Sequence, residues 1–172
     1  MGHTEGLTHV ASRGDGRYLC TNGKDQLLKL WDTRRMTDAT THYFRGFDLG
    51  LPRGVRGVTT GFDYRWMPYP LSRLRFHNPH DTSVATFRGH SVLKTLIRCK
   101  FSPQHTTGQR YIYTGSNCGR VRIYDILTSE CVGTCAGVHQ GPVRDVSWHP
   151  TEPLMLTAGW DGRVHTWTPP EL

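Results

Sequence analysis

Asp25-Gln26-Leu27-Leu28-Lys29-Leu30-Trp31-Asp32-Thr33-Arg34 is the stretch on which the reading of this chain turns. An acidic turn residue stands six positions before a Trp-Asp pair, with a short apolar run between them. Leu27 to Trp31 is too short for a lone helix and fits a buried strand, entered through a turn at Asn22-Gly23. The pattern returns twice. Thr21 lies ten residues before Trp31, Thr114 ten before Tyr124 and Thr157 ten before Trp167, while His3, His90 and His139 each open a copy.

The spacing from opening histidine to aromatic is 28 residues in the first and third copies and 34 in the second. The six extra residues fall in the polar turn Gln104 to Gln109, where an insertion costs little. The third copy reads as three short strands, Val143 to Trp148, Leu154 to Ala158 and Val164 to Trp167. They are parted by His149-Pro150 and Trp160-Asp161-Gly162, which is hairpin punctuation. A fourth strand precedes each later opening, Ser83 to Phe87 before His90 and Glu130 to Ala136 before His139.

Four strands recurring with a Gly-His and Trp-Asp signature resemble WD repeats, the blades of a β-propeller. Setting aside 36–82 leaves roughly forty residues per copy, close to the ~40–45 of one such blade. The expected fold is therefore all-β, a partial WD-repeat β-propeller. Its parts would be a first blade at 1–35 without the outer strand before it, an insertion at 36–82, a second blade with its neighbouring outer strand at 83–129, and a third at 130–172. Three blades cannot close a ring, since each buries its faces against neighbours. The expectation is the C-terminal three blades of a seven-bladed ring, with the closing strand supplied from the N-terminal part of a longer chain.

In WD repeats a turn Asp, the opening His, a strand Ser or Thr and the Trp indole form a buried hydrogen-bond chain. The resemblance assigns His3, Thr21, Asp25 and Trp31 to one such set and His139, Thr157, Asp161 and Trp167 to another. Networks of this kind stabilise when every member is satisfied. Recurrence at fixed offsets speaks for structure over catalysis at these histidines and aspartates. The middle copy has Cys118 for the Asp and Tyr124 for the Trp, so packing is expected to hold that blade in place of the network.

Composition sets the outer limits. No apolar run approaches the ~18 residues a membrane span needs. The start, Met-Gly-His-Thr-Glu, lacks a secretory layout, and Gly6 stands where a myristoylation motif wants Ser or Thr. Five irregularly spaced cysteines argue against a disulfide framework and for a reducing compartment. The net charge of +7 invites a nucleic-acid partner, but the basic residues are spread along the chain. Residues 1–35 carry six Lys and Arg against four acids, 36–82 six against four, and 83–172 nine against six. A uniformly basic solvated surface fits this better than a binding stripe.

The insertion divides in two. Arg45 to Gly61 holds five glycines and a proline and reads as mobile. Phe62 to Pro70 then carries Phe62, Tyr64, Trp66 and Tyr69 together with Arg65. Either this cluster lies across the propeller side, or Tyr64, Arg65, Trp66 and Tyr69 form a recognition surface. Mixed arginine and aromatics also suit stacking on single-stranded RNA, though no glycine-aromatic strand motif accompanies them.

No nucleophile elbow, phosphate loop or paired-carboxylate motif appears, so no catalytic residue, cofactor or enzyme activity is expected. Cys131, Cys135 and His139 are spaced by four, but their neighbours read as strand, which argues against a zinc site.

Asp25, Trp31, Asp32 and Arg34 also match the extended WD-x-Arg box of WD-repeat substrate receptors of cullin-4 RING ubiquitin ligases, the cullin-4-associated factors. Asp63 to Trp66, His90 to Arg98 and Val143 to Pro150 extend that resemblance along nearly the whole chain, with 37–61 matching less clearly. The resemblance implies a non-catalytic receptor whose Arg34, beside Asp32, engages an adaptor of the damage-specific DNA-binding protein 1 type. A target protein would sit elsewhere on the propeller, and the expected location is cytoplasm and nucleus. A general WD scaffold in another complex, such as one handling RNA, is the other reading.

Overall fold

A computed structural model describes residues 2–36, 62–74, 78 and 81–168. The glycine-rich 45–61 stretch and Pro169-Pro170 lie outside the described residues. The regular secondary structure is almost entirely strand, arranged as three antiparallel sheets in chain order.

The first sheet is built from β1 (Leu7–Ser12), β2 (Tyr18–Gly23), β3 (Leu28–Asp32) and β4 (Ala85–Phe87), in that spatial order. Its fourth strand comes from beyond the insertion and pairs Leu28 with Phe87 and Lys29 with Thr86. The second sheet runs β5 (Cys99–Phe101), β6 (Tyr111–Gly115), β7 (Val121–Asp125) and β8 (Cys131–Cys135). The third has β9 (Val143–Trp148), β10 (Met155–Gly159) and β11 (Val164–Trp167). These are three consecutive blades of an all-β WD-type propeller. The polar turn expected over 104–109 contains a one-turn helix, Gln104–Thr107, ended by Gly108 at φ 61°.

The turn into β3 differs from expectation. Asn22 and Gly23 still pair within β2, and the chain reverses at Lys24-Asp25-Gln26. Asp25 directs this, its carboxylate accepting from the Leu27 amide at 3.3 Å. Gln26 takes a left-handed φ of 65°, where the corresponding turns of the other blades use Gly119 and Gly162. The strain is held by four hydrogen bonds. Gln26 Nε2 donates to the Lys24 and Val92 carbonyls, and its Oε1 accepts from the Val92 amide and the Ser91 hydroxyl.

Burial follows from blades standing face to face. Cys20, Leu28, Leu30 and Phe87 of the first sheet pack on Cys99, Phe101, Ile112 and Tyr124 of the second. Tyr113, Val121, Ile123 and Cys135 of the second pack on Val143, Val146, Met155 and Trp167 of the third. All five residues of β3 are buried: Leu28 and Leu30 face the second sheet, and Lys29 lies beneath Asp81 and Thr86 of the returning chain. Lys29 Nζ ion-pairs with Asp81 and donates to Thr86 Oγ1 at 2.8 Å.

Candidate functional site: the two ends of the first blade

The repeated sets assemble as hydrogen-bond chains. Trp31 Nε1 donates to Thr21 Oγ1 at 2.7 Å, and that oxygen lies 2.7 Å from His3 Nε2. His3 Nδ1 is 3.0 Å from both oxygens of Asp25. Because the carboxylate can only accept, the ring tautomer that bonds it carries its proton on Nδ1, and Nε2 is left to accept from the threonine hydroxyl. The third blade repeats this, with Trp167 Nε1 to Thr157 Oγ1 at 3.0 Å, His139 Nε2 to Thr157 at 2.7 Å and Nδ1 to Asp161 at 3.0 Å. Burial pushes the Asp161 carboxyl up, but bonds from His139 and the Arg163 and Gln140 amides outweigh it and bring it below the usual range.

Both sets press on a glycine. A Cβ on Gly23 would stand 2.5 Å from Asp25 Oδ1 and 2.5 Å from His3 Nδ1. On Gly159 it would stand 2.5 Å from His139 Nδ1 and 2.7 Å from Asp161 Oδ1. Sequence reasoning took Gly23 only as a turn residue and passed over Gly159, although each sits two residues before the turn aspartate.

The middle blade keeps a network by rerouting it. Tyr124 Oη donates to the Arg88 carbonyl at 2.9 Å and lies 3.2 Å from His90 Nδ1. His90 Nε2 turns away from its own Thr114 to Asn22 Oδ1, 2.8 Å away on the first blade. Asn22 Nδ2 in turn donates to the Ile97 carbonyl and to Thr114 Oγ1. The sequence led one to expect packing in place of a network here; the structure corrects this, since the lost acidic partner is replaced across the seam. Complete burial lowers His90 to about 4, so it stays neutral.

At the C-terminal end of β3, Asp32 caps the 3₁₀ turn Thr33–Arg35 through the Arg34 amide at 3.0 Å. Its buried carboxylate also accepts from Arg34 Nε at 3.3 Å, Arg34 Nη2 at 3.2 Å and Arg17 Nε at 3.1 Å. The Arg34 side chain, foremost, holds Asp32 far below the usual carboxylate range. Arg34 itself is 65% exposed. The second blade supplies an internal comparison. Arg110 Nη2 pairs with Asp125 at 2.7 Å and lies over Tyr111, as Arg17 pairs with Asp32 and lies over Tyr18. What the first blade adds is Arg34, where the second has exposed Leu127. Arg17, Tyr18, Asp32, Arg34, Arg35 and Val84 line a shallow open depression there.

The aromatic cluster lies at the other end of β3, part of it packed against the blade and part of it exposed. Tyr69 is buried edge-on to Phe62, with ring centroids 5.0 Å apart, and burial raises its hydroxyl to about 12. Tyr64 lies under Lys24 Nζ at 4.1 Å, and its carbonyl accepts from the Lys94 amide at 2.6 Å. Arg65 and Trp66 point outward. The guanidinium stacks 4.5 Å from the indole centroid, pairs with Asp63 and brings that carboxyl down to about 2, while Trp66 is 70% exposed. One half of the cluster is anchor and the other half is surface.

Cys131 and Cys135 lie on β8, and neither bonds His139, whose ring nitrogens face Thr157 and Asp161. Among the described residues the potential metal-ligating cluster is instead His139, Asp161 and His165, with ligand atoms within 4.8 Å of one another. A histidine four residues after the turn aspartate is the signal that sequence reading missed. No helix of the described residues is long and apolar enough to cross a membrane.

Comparison with known proteins agrees with this architecture. The model of the WD domain, G-beta repeat, matches residues 1–32, 81–125 and 129–168. Over 97% of its length the chain is 47% identical to a LEC14B homolog from Prunus armeniaca, covering 33% of that protein. It is 42% identical, again over 97% of its length, to a DDB1- and CUL4-associated factor 11 homolog from Caenorhabditis elegans, covering 27% of that protein. A U5 small nuclear ribonucleoprotein 40 kDa protein from Bos taurus is 32% identical over 51% of the chain and 24% of its own length. The chain thus spans about a third or less of the curated relatives it matches.

Proposed function

The chain belongs to the WD-repeat family, and from that premise we propose that it is part of a non-catalytic substrate receptor of a cullin-4 RING ubiquitin ligase, its finer kinship being with the eleventh associated factor. The observation that carries the reading is Arg34, an exposed guanidinium fixed by Asp32 at a blade corner whose counterpart in the second blade lacks it. The 42% identity to the factor 11 homolog supports it. Charge-assisted, bidentate contacts suit arginine for recognition of a partner's carboxylates or carbonyls. Arg34 would contact the DDB1 adaptor, and the Arg65–Trp66 end would face a target protein. The two lie beyond opposite ends of the five-residue β3, which itself rises ~17 Å, so both partners could be held at once. The whole protein would close a seven-bladed ring, direct its target to ubiquitination and proteasomal degradation, and reside in cytoplasm and nucleus.

The test is co-precipitation of DDB1 with the full-length protein carrying Arg34→Ala. Loss of capture by roughly tenfold or more is expected, while Arg110→Ala in the sister blade leaves capture unchanged. Equal capture by wild type and the Arg34 variant removes the assignment. The alternative, a WD scaffold in an RNA-associated complex, draws on the stacked, exposed Arg65 and Trp66 and on the U5 relative. Salt-dependent RNA retention lost in Trp66→Ala would favour it.

A further inference from the structure

One slot of the repeat is filled differently in each blade. It is the strand residue paired across the sheet with the threonine of the hydrogen-bond set: Lys29 opposite Thr21, Arg122 opposite Thr114, and His165 opposite Thr157. Lys29 and Arg122 each reach a threonine on the fourth strand of their own blade, Thr86 at 2.8 Å and Thr134 at 2.9 Å. His165 does not share this arrangement. Its Nε2 is buried and has no hydrogen-bond partner among the described residues. It stands edge-on to His139, ring centroids 4.6 Å apart, and within ligand reach of Asp161.

A permanent cation in this slot repels a metal ion, whereas a neutral imidazole offers it a lone pair. The third blade alone therefore joins two imidazoles and an ionised carboxylate in one place. We propose that His139, Asp161 and His165 form a zinc-binding site. Two histidines and an aspartate are ligands of the type Zn²⁺ takes, with water completing a tetrahedron. Ligand atoms in such a site stand ~3.4 Å apart, given Zn–N bonds of ~2.0–2.1 Å. The present separations, up to 4.8 Å, close by an inward turn of the half-buried His165 ring. Gly159 leaves the flank of His139 and Asp161 free of any Cβ that would obstruct the pair.

The protons balance without an outside donor. In the free protein His139 carries its proton on Nδ1, facing Asp161. On binding, Nδ1 becomes a ligand and its proton passes through solvent to Nε2, which then donates to Thr157 Oγ1 2.7 Å away. That second bond fixes the ring, as ligating histidines require. Thr157 Oγ1 then accepts from both His139 Nε2 and Trp167 Nε1, so Trp167 fluorescence reports on the site.

The test uses the 172-residue chain, titrated with ZnCl₂ by calorimetry and with Co²⁺ by visible absorption. Three proteins are compared: wild type, His165→Lys, and a Cys118→Ser/Cys131→Ser double variant that removes the exposed thiols. The first blade itself carries lysine in this slot, so His165→Lys is compatible with the fold; if circular dichroism shows otherwise, His165→Gln replaces it. Wild type and the cysteine variant should each bind one zinc, give four-coordinate Co²⁺ bands and change Trp167 emission. The His165 variant should bind at least tenfold more weakly. Equal binding by wild type and the His165 variant, or no binding by wild type, overturns the site.

Discussion

His90 Nε2 of the second blade lies 2.8 Å from Asn22 Oδ1 of the first, so the middle blade's hydrogen-bond chain ends in its neighbour. Asn22 is fully buried and also donates to the Ile97 carbonyl and Thr114 Oγ1. Asn22→Ala strands the buried His90 Nε2, while the Ile97 carbonyl keeps Thr8 Oγ1 and Thr114 Oγ1 keeps the Arg98 carbonyl, at a cost of about 2 kcal/mol. For a chain of this size that corresponds to a fall in Tm on the order of 5–10 °C. Calorimetric melting checks it, and an unchanged Tm would mean that the seam is held by packing.

His90 also sets a pH window. Its folded value is lowered to about 4 by burial, against an ordinary value near 6.5. Between those values the unfolded chain binds a proton that the native chain does not, so stability falls as pH drops from ~6.5 towards ~4, by on the order of 3 kcal/mol in all. Asp32, Asp81 and Asp161, all lowered, lose their contributions only below the ordinary carboxylate range. Urea titrations across this range should show the slope in wild type and its loss in His90→Gln. A slope that survives in the variant would assign the effect elsewhere.

Gln26 separates strain from bonding. Gln26→Ala keeps the left-handed backbone and loses all four side-chain bonds, whereas Gln26→Gly loses the bonds and relieves the strain. Both variants should be less stable than wild type. The glycine variant should be the better of the two by about 1 kcal/mol. Paired denaturation curves decide it, and an alanine variant as stable as the glycine one would show the turn to be unstrained.

Lys29 and Asp81 fasten the insertion to β3. Burial raises the Asp81 carboxyl, but Lys29 and Ser83 more than offset this and keep it ionised. Lys29→Met strands a half-buried carboxylate and should cost about 3 kcal/mol. Lys29→Met combined with Asp81→Leu should recover most of that loss, since a packed apolar pair replaces both charges. Equal stability of the single and double variants would show that the two residues do not interact.

The parts of the molecule legible in the sequence are those that repeat. His3, Thr21, Asp25 and Trp31 recur as His139, Thr157, Asp161 and Trp167 because each set closes within one blade, where fixed offsets imply fixed geometry. Asn22 could not be assigned to His90 in this way, since their bond crosses between blades and has no periodic signature. Lys29 and Asp81 are 52 residues apart through an irregular segment, so nothing in their spacing announces the pair. The turn at Lys24-Asp25-Gln26 was misplaced because Asn22-Gly23 carries the stronger local turn chemistry. The tertiary bonds of Gln26 override it.

Met36 leaves β3 beside Arg34, whereas Phe62 re-enters near Lys24 at the far end of the same strand. β3 between these ends rises ~17 Å. The 25 residues numbered 37–61 can reach ~85 Å when extended. The connection therefore has contour length to spare, and each doubling of it costs only ~0.6 kcal/mol in closure entropy. This is the place to splice in a fluorescent reporter or an affinity handle: Met36 is tied to the Thr33 carbonyl and Phe62 packs on buried Tyr69, so cargo can be exchanged between two held ends.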